Sequence, residues 1–166
     1  FGERGAADLR AASAVARLER QLGHGAVTVA RLEGGRAPDD RAALVPWGSA
    51  EVAPRGRDPL APWPGRLPAP SPASIPSRAL AVTLLDDAGN RVTVSGGGLL
   101  SSAPVRLAFD GGPGRVVAAH CGPWPMAERW WSVSRRRAHL QVLCEDGLAV
   151  LLRAERSRWW LSGIYD

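Results

Sequence analysis

The sequence predicts a mainly β protein, with a small antiparallel barrel or sandwich at its C-terminal end preceded by a proline-rich linker and an N-terminal α/β fragment of one helix and two short strands. Three observations carry this. From Leu80 onward short alternating apolar runs are separated by glycine and aspartate turns at regular intervals. Eight of the 14 prolines fall between Pro54 and Pro76, which rules out helix and any central strand there. One segment near the start, 6–22, repeats its apolar residues at helical spacing.

In that segment Ala11, Val15, Leu18 and Leu22 share a face, and Gly23 with Gly25 supplies a C-cap. Ala26 to Leu32 reads as a strand closed by Gly34-Gly35, and Ala42 to Trp47 as a second. One helix and two short strands cannot close a core, so residues 1–48 are expected to be the end of a larger α/β domain or to lean on the C-terminal one. A start at Phe1-Gly2 without Met is read as a piece of something longer. Residues 49–78 are the linker, extended where proline is dense, with Trp63 and Leu67 as candidate anchors to a neighbouring surface.

The β module is expected over 79–166. Leu80, Val82 and Leu84 alternate, a turn follows at Asp86 to Asn90, Val92 and Val94 resume the period, and Gly96-Gly97-Gly98 bends the chain. Pro104 to Phe109 and Arg115 to Cys121 are further strands around the loop Asp110 to Gly114. The last hairpin allows a sharper deduction. A two-residue turn at Asp146-Gly147 would set Leu140 opposite Arg153 and mix the faces. A three-residue loop, Glu145-Asp146-Gly147 with Gly147 at positive φ, pairs Cys144 with Leu148, Val142 with Val150 and Leu140 with Leu152, and puts all six on one buried side.

Two triplets, Arg129-Trp130-Trp131 and Arg158-Trp159-Trp160, flank this hairpin and hold four of the seven tryptophans. Neighbours on a strand point to opposite faces, so each pair should send one indole inward and leave the other at an edge. The loop before Trp159 lacks glycine and leaves the choice open. Arg135-Arg136-Arg137 beside Trp130-Trp131 is the one basic-aromatic combination fit for single-stranded nucleic acid; Trp and Arg are equally the favoured anchors of protein interfaces, and a plain core with a solvated loop is the third reading.

Composition narrows the chemistry. The net charge is +5 with no lysine, which permits a polyanionic partner. Cys121 and Cys144 lie in strand-like sequence rather than in a disulfide framework and are expected reduced and buried, as in a cytoplasmic protein. His120, Cys121, His139 and Cys144 fit no zinc spacing, so no metal or other cofactor is expected. The pairs Asp39-Asp40 and Asp86-Asp87 fall in turns, and the glycine clusters lack the lysine of a phosphate loop. No catalytic residue is assigned.

Several strings together resemble the C-terminal portion of the ImuB family, the Y-family-polymerase-like accessory proteins of bacterial damage-induced mutagenesis. They are Leu44-Val45-Pro46-Trp47-Gly48, Pro62-Trp63-Pro64-Gly65-Arg66-Leu67-Pro68, Gly122-Pro123-Trp124-Pro125 leading into Glu128-Arg129-Trp130-Trp131, Ala138-His139-Leu140-Gln141-Val142, Arg158-Trp159-Trp160 and Tyr165-Asp166. The resemblance covers nearly the whole chain. It implies that residues 6–47 close a little-finger domain and that the rest is a linker and a non-catalytic adaptor module in the bacterial cytoplasm. Its implied partners are an error-prone C-family polymerase and a RecA-like protein of the ImuA type, with the sliding clamp bound only through residues upstream of Phe1. Trp124, Arg129, Trp130, Trp131, Arg158, Trp159 and Trp160 are then the expected partner-binding or barrel-defining set, and Arg135, Arg136 and Arg137 the candidate nucleic-acid contacts.

Overall fold

The computed structural model describes residues 2–32, 34–49, 65–128 and 135–166, and the chain divides into two compact units, Phe1–Trp63 and Pro64–Asp166. It is mainly β, with a two-stranded sheet in the first unit and a closed six-stranded antiparallel barrel in the second.

In the first unit, helix α1 (Gly2–Leu22) starts four residues before the predicted segment. It ends where Gly23, at φ 100°, donates its N–H to the Glu19 carbonyl at 2.9 Å. Ala11 and Val15 are half-buried, but Leu18 and Leu22 stay exposed, so the apolar stripe is only partly covered. Strands β1 (Thr28–Leu32) and β2 (Ala42–Pro46) pair antiparallel from Thr28↔Pro46 to Leu32↔Ala42. The turn of helix between them, α2 (Pro38–Arg41), is too short to show a periodicity and was not legible in the sequence.

The barrel runs β3 (Ala81–Leu85), β4 (Arg106–Phe109), β5 (Arg115–Glu128), β6 (Arg135–Cys144), β7 (Ala149–Glu155) and β8 (Arg158–Tyr165). Each strand pairs with the next, and β8 closes on β3 through Ala81↔Trp160 and Val82↔Trp159. The β6–β7 hairpin has the three-residue loop: Leu140↔Leu152 and Val142↔Val150 are in register, the Cys144 N–H donates to the Leu148 carbonyl at 2.8 Å, and Gly147 sits at φ 88°. Leu140, Val142, Cys144, Val150 and Leu152 accordingly form the centre of the core with Val82, Leu84, Leu107 and Leu161.

Three elements differ from expectation. Val92 and Val94 belong to no regular strand; residues 91–100 are a tight excursion held by single bridges at Leu85↔Arg91 and Val94↔Leu100, because the glycine bend returns the chain after a few residues. Its first turn is fixed by Asp86, whose carboxyl is held below the usual range chiefly by the Asn90 N–H at 2.7 Å. Strand β5 continues past Cys121 to Glu128. The register shift between Cys121 and Trp124 takes Gly122-Pro123 out of the ladder, which is how a strand accommodates proline. Finally, the end of the expected linker packs on the barrel. Ser74 bridges Ile164, with hydrogen bonds of 2.9 Å from the Ala73 and Ile164 N–H groups, and a side chain at Gly163 would come within 2.5 Å of Pro72. Trp63, the other anchor candidate, lies outside the described residues, and Leu67 is half-buried.

Leu152→Ala should cost about 2–5 kcal/mol, the range for truncating a fully buried leucine. Leu143→Ala, one residue along β6 from the buried row and exposed, should stay within about 0.5 kcal/mol. Urea unfolding of both variants checks the side assignment; equal losses would contradict it.

Candidate functional site

Antiparallel register sorts the residues near the β7–β8 turn into rows that cross the barrel wall. Because Leu140 and Leu152 face inward, the next inward row is Pro125, Ala138, Ala154, Trp159 and Val82, each opposite its neighbour. The outward row between them is Trp124, His139, Arg153 and Trp160. A second outward row holds Arg137, Glu155 and Arg158, while Met126, opposite Arg137, is buried.

The orientation left open by the sequence is thereby decided. Trp159 points inward and is 4% exposed; its indole N–H donates to the Val92 carbonyl at 2.7 Å and so ties the 91–100 excursion to the barrel. Trp160 points outward and is half-buried. The turn between β7 and β8 has two residues, Arg156 and Ser157, both at positive φ (52° and 60°). That is the mirror-image turn whose twist matches hairpin strands, built without the glycine or asparagine that normally announces it.

Of the recesses that border this turn, two are lined by Arg156. The first is the barrel mouth, a cleft of about 420 Å³ bounded by the Thr93–Gly98 stretch, the far ends of β5, β6 and β7, the turn and Trp159. Its origin lies in the inward row: Ala138 and Ala154 are small where the core below has leucines. Arg136, two residues before Ala138 on the same side of β6, is exposed, and its guanidinium lies across the mouth 3.8 Å from where a side chain on Gly96 would begin. The second recess, about 610 Å³, lies on the outer wall and is lined by Ala79, Arg153, Glu155, Arg156, Arg158 and Trp160. Across the two, Arg136, Arg137, Arg153, Arg156 and Arg158 meet a single acid, Glu155. Glu155 lies 3.7 Å from the Arg137 Nε and 3.8 Å from the Arg153 Nε. Arg136, Arg156 and Arg158 are exposed and in no ion pair among the described residues, so this end of the barrel is strongly positive.

Of the other expected site residues, Trp124 is half-buried in β5 over the bulge, where the absent side chain of Gly122 leaves room for its ring at 3.0 Å. Arg129, Trp130 and Trp131 lie outside the described residues, as does the side chain of Arg135. Trp159 and Trp160 are thus separated onto opposite faces, whereas Trp124 and Trp160 share the outer one. His139 is fully buried in that outer row; Arg153, which helps to frame the site, was not singled out in the sequence, although the hairpin register already set it beside His139.

The two cysteines part ways. Cys144 is buried in the core, and Cys121, opposite Gln141 on the outer face of β5, is exposed, a correction to the expectation that both are buried. Burial pushes the Cys144 thiol up, the Asp146 charge adds to this, and Arg115, which pairs with Asp146, opposes it. Among the described residues no group of three or more His, Cys, Asp or Glu is placed to hold a metal ion, and no helix is long and apolar enough to cross a membrane. No protein-family model matches the chain, and no curated protein or solved structure matches it either.

Iodoacetamide at mildly alkaline pH should therefore label Cys121 in the folded protein. Cys144, with its thiolate disfavoured and shielded, should react only after denaturation. Peptide mapping by mass spectrometry reads both sites.

Proposed function

We propose that the barrel is a non-catalytic docking module of an ImuB-type accessory factor in translesion DNA synthesis. In this reading the first unit is the end of a little-finger-like domain, and the protein works in the bacterial cytoplasm, at the nucleoid during repair. The observation that carries the docking role is Trp160: a half-buried indole on the outer wall framed by Arg153, Arg156 and Arg158. A rigid indole supplies contact area at low entropic cost, and arginine beside it adds planar hydrogen bonding, the combination that dominates interface energetics. Trp124, in the same outer row, extends that surface, while Trp159 holds the barrel together from inside. The string resemblance supplies the partners: an error-prone C-family polymerase and a RecA-like protein.

Trp160→Ala should keep the parental circular dichroism spectrum and weaken capture of the partner polymerase by at least about thirtyfold, as loss of an interface anchor of about 2 kcal/mol or more does. A folded Trp160→Ala protein that captures the polymerase as well as the parent would refute the anchor role.

The surplus of arginine at this end favours one second reading, a barrel that holds single-stranded DNA, with Arg135, Arg136 and Arg137 on phosphates. On that reading the affinity for a thymidine oligonucleotide falls steeply with salt, and Arg136→Gln reduces the log–log slope by about 0.7, one phosphate contact. Absence of any gel shift at low salt would eliminate it.

A further inference from the structure

The mouth of the barrel opens beside the outer wall that carries Trp160 and shares Glu155 and Arg156 with it, but the docking role of that wall leaves the apolar floor and Arg136 unused. We propose that the mouth is a second site, which receives an acidic linear segment of a protein partner. An apolar side chain of the segment enters the cleft beside Ala138 and Ala154, and its flanking carboxylates meet Arg136 and Arg156. That the ligand is a protein rests on the adaptor reading; its chemistry comes from the cleft itself.

The volume, about 420 Å³, falls within the range of about 300–1,000 Å³ of preformed ligand sites, and barrel mouths are a recurrent place for them. The lining is apolar toward the inside, with Val94, Met126, Ala138, Ala154 and Trp159, and cationic at the entrance. Arg137 already shares Glu155 with Arg153. Among the described residues Arg136 and Arg156 have no such neighbour, so an acidic ligand gains two charge-assisted contacts there without displacing one of these pairs. Arg156 projects from the left-handed backbone of the β7–β8 turn, and Arg136 from β6, one residue beyond the last β6–β7 pair, Arg137↔Glu155. The two cations therefore stand side by side on one rim of the opening.

A nucleobase fits the cleft less well than an aliphatic side chain does. Bases bind single-strand sites by stacking on aromatic faces, and the one aromatic lining the mouth among the described residues is Trp159, which is buried and has its N–H committed to Val92. The two alanines offer a floor that accepts a branched aliphatic group by contact alone.

The test uses the whole chain and three dye-labelled probes of equal length, read by fluorescence anisotropy. They are a peptide with one leucine flanked by aspartate and glutamate, the same peptide with asparagine and glutamine in place of the acids, and a thymidine oligonucleotide. The acidic peptide should bind at least about tenfold more tightly than the neutral one, which is the worth of two partly desolvated charge contacts. The double variant Arg136→Gln, Arg156→Asn should remove that advantage; asparagine is chosen because it tolerates positive φ. Ala154→Leu, which fills the floor and leaves the rim intact, should also abolish binding, with circular dichroism confirming that it folds. Trp160→Ala should leave peptide binding unchanged. Equal affinity for the two peptides, tighter binding of the oligonucleotide, or undiminished binding by either mouth variant would overturn the proposal. Because Trp160→Ala affects polymerase capture and not the mouth, failure of the mouth site and failure of the adaptor reading give different patterns.

Discussion

The loop Glu145-Asp146-Gly147 decides which sides of β6 and β7 face the barrel interior, and nearly everything else in the second unit follows from that parity. Side chains alternate strictly along a strand, so a shift of one residue would exchange Leu140, Val142, Val150 and Leu152 for His139, Gln141, Leu151 and Arg153. With the loop at three residues, the aliphatic set forms the core and the imidazole and guanidinium groups go to the outer wall. The same parity, carried over the β7–β8 turn, places Ala154 beside Trp159 and Arg153 beside Trp160. Core, mouth and outer surface are thus three expressions of one pairing register.

Trp159 has the role that a larger core would share among several residues. Its ring fills the barrel where Ala138 and Ala154 provide little volume, and its N–H holds the 91–100 excursion through Val92. An indole buried with its donor satisfied contributes area without leaving a desolvated polar group. The void left beside the two alanines is the mouth. Small residues at that level cost some packing and leave room for a ligand.

How far the sequence disclosed this varies by element, for physical reasons. The β6–β7 hairpin was readable because only a three-residue loop keeps its aliphatic residues opposite one another and clear of Arg153, and because that loop ends in a glycine that can take positive φ. The orientation of Trp159 was not, since Arg156 and Ser157 adopt left-handed backbone with no residue that prefers it. Yet carrying the alternation from Leu152 through a two-residue turn reaches Trp159 on the inner side, so the signal was present in the spacing. The packing of 72–74 on β8 was hidden by the prolines around it, which argue for an unpaired chain and give no hint that Ser74 keeps a bridge to Ile164. The long β5 was hidden in the same way by Pro123 and Pro125. Cys121 looked like a core residue because it follows the apolar run Val116 to Ala119; the register assigns it to the outer face.

Strand β5 has one more effect, on self-association. It pairs with β6 as far as Glu128↔Arg135, but with β4 only at Arg106↔Val116 and Leu107↔Arg115. Beyond that point one side of its backbone is without a ladder partner among the named strands, the kind of border on which a second molecule could template a continuing sheet. Pro123 and Pro125 carry no amide hydrogen, and the bulge at Gly122 bends the strand between its two straight parts. A border with missing donors and a bend accepts a copy of itself poorly, so the residues that lengthen β5 past the barrel also protect a concentrated solution against fibrous polymerisation.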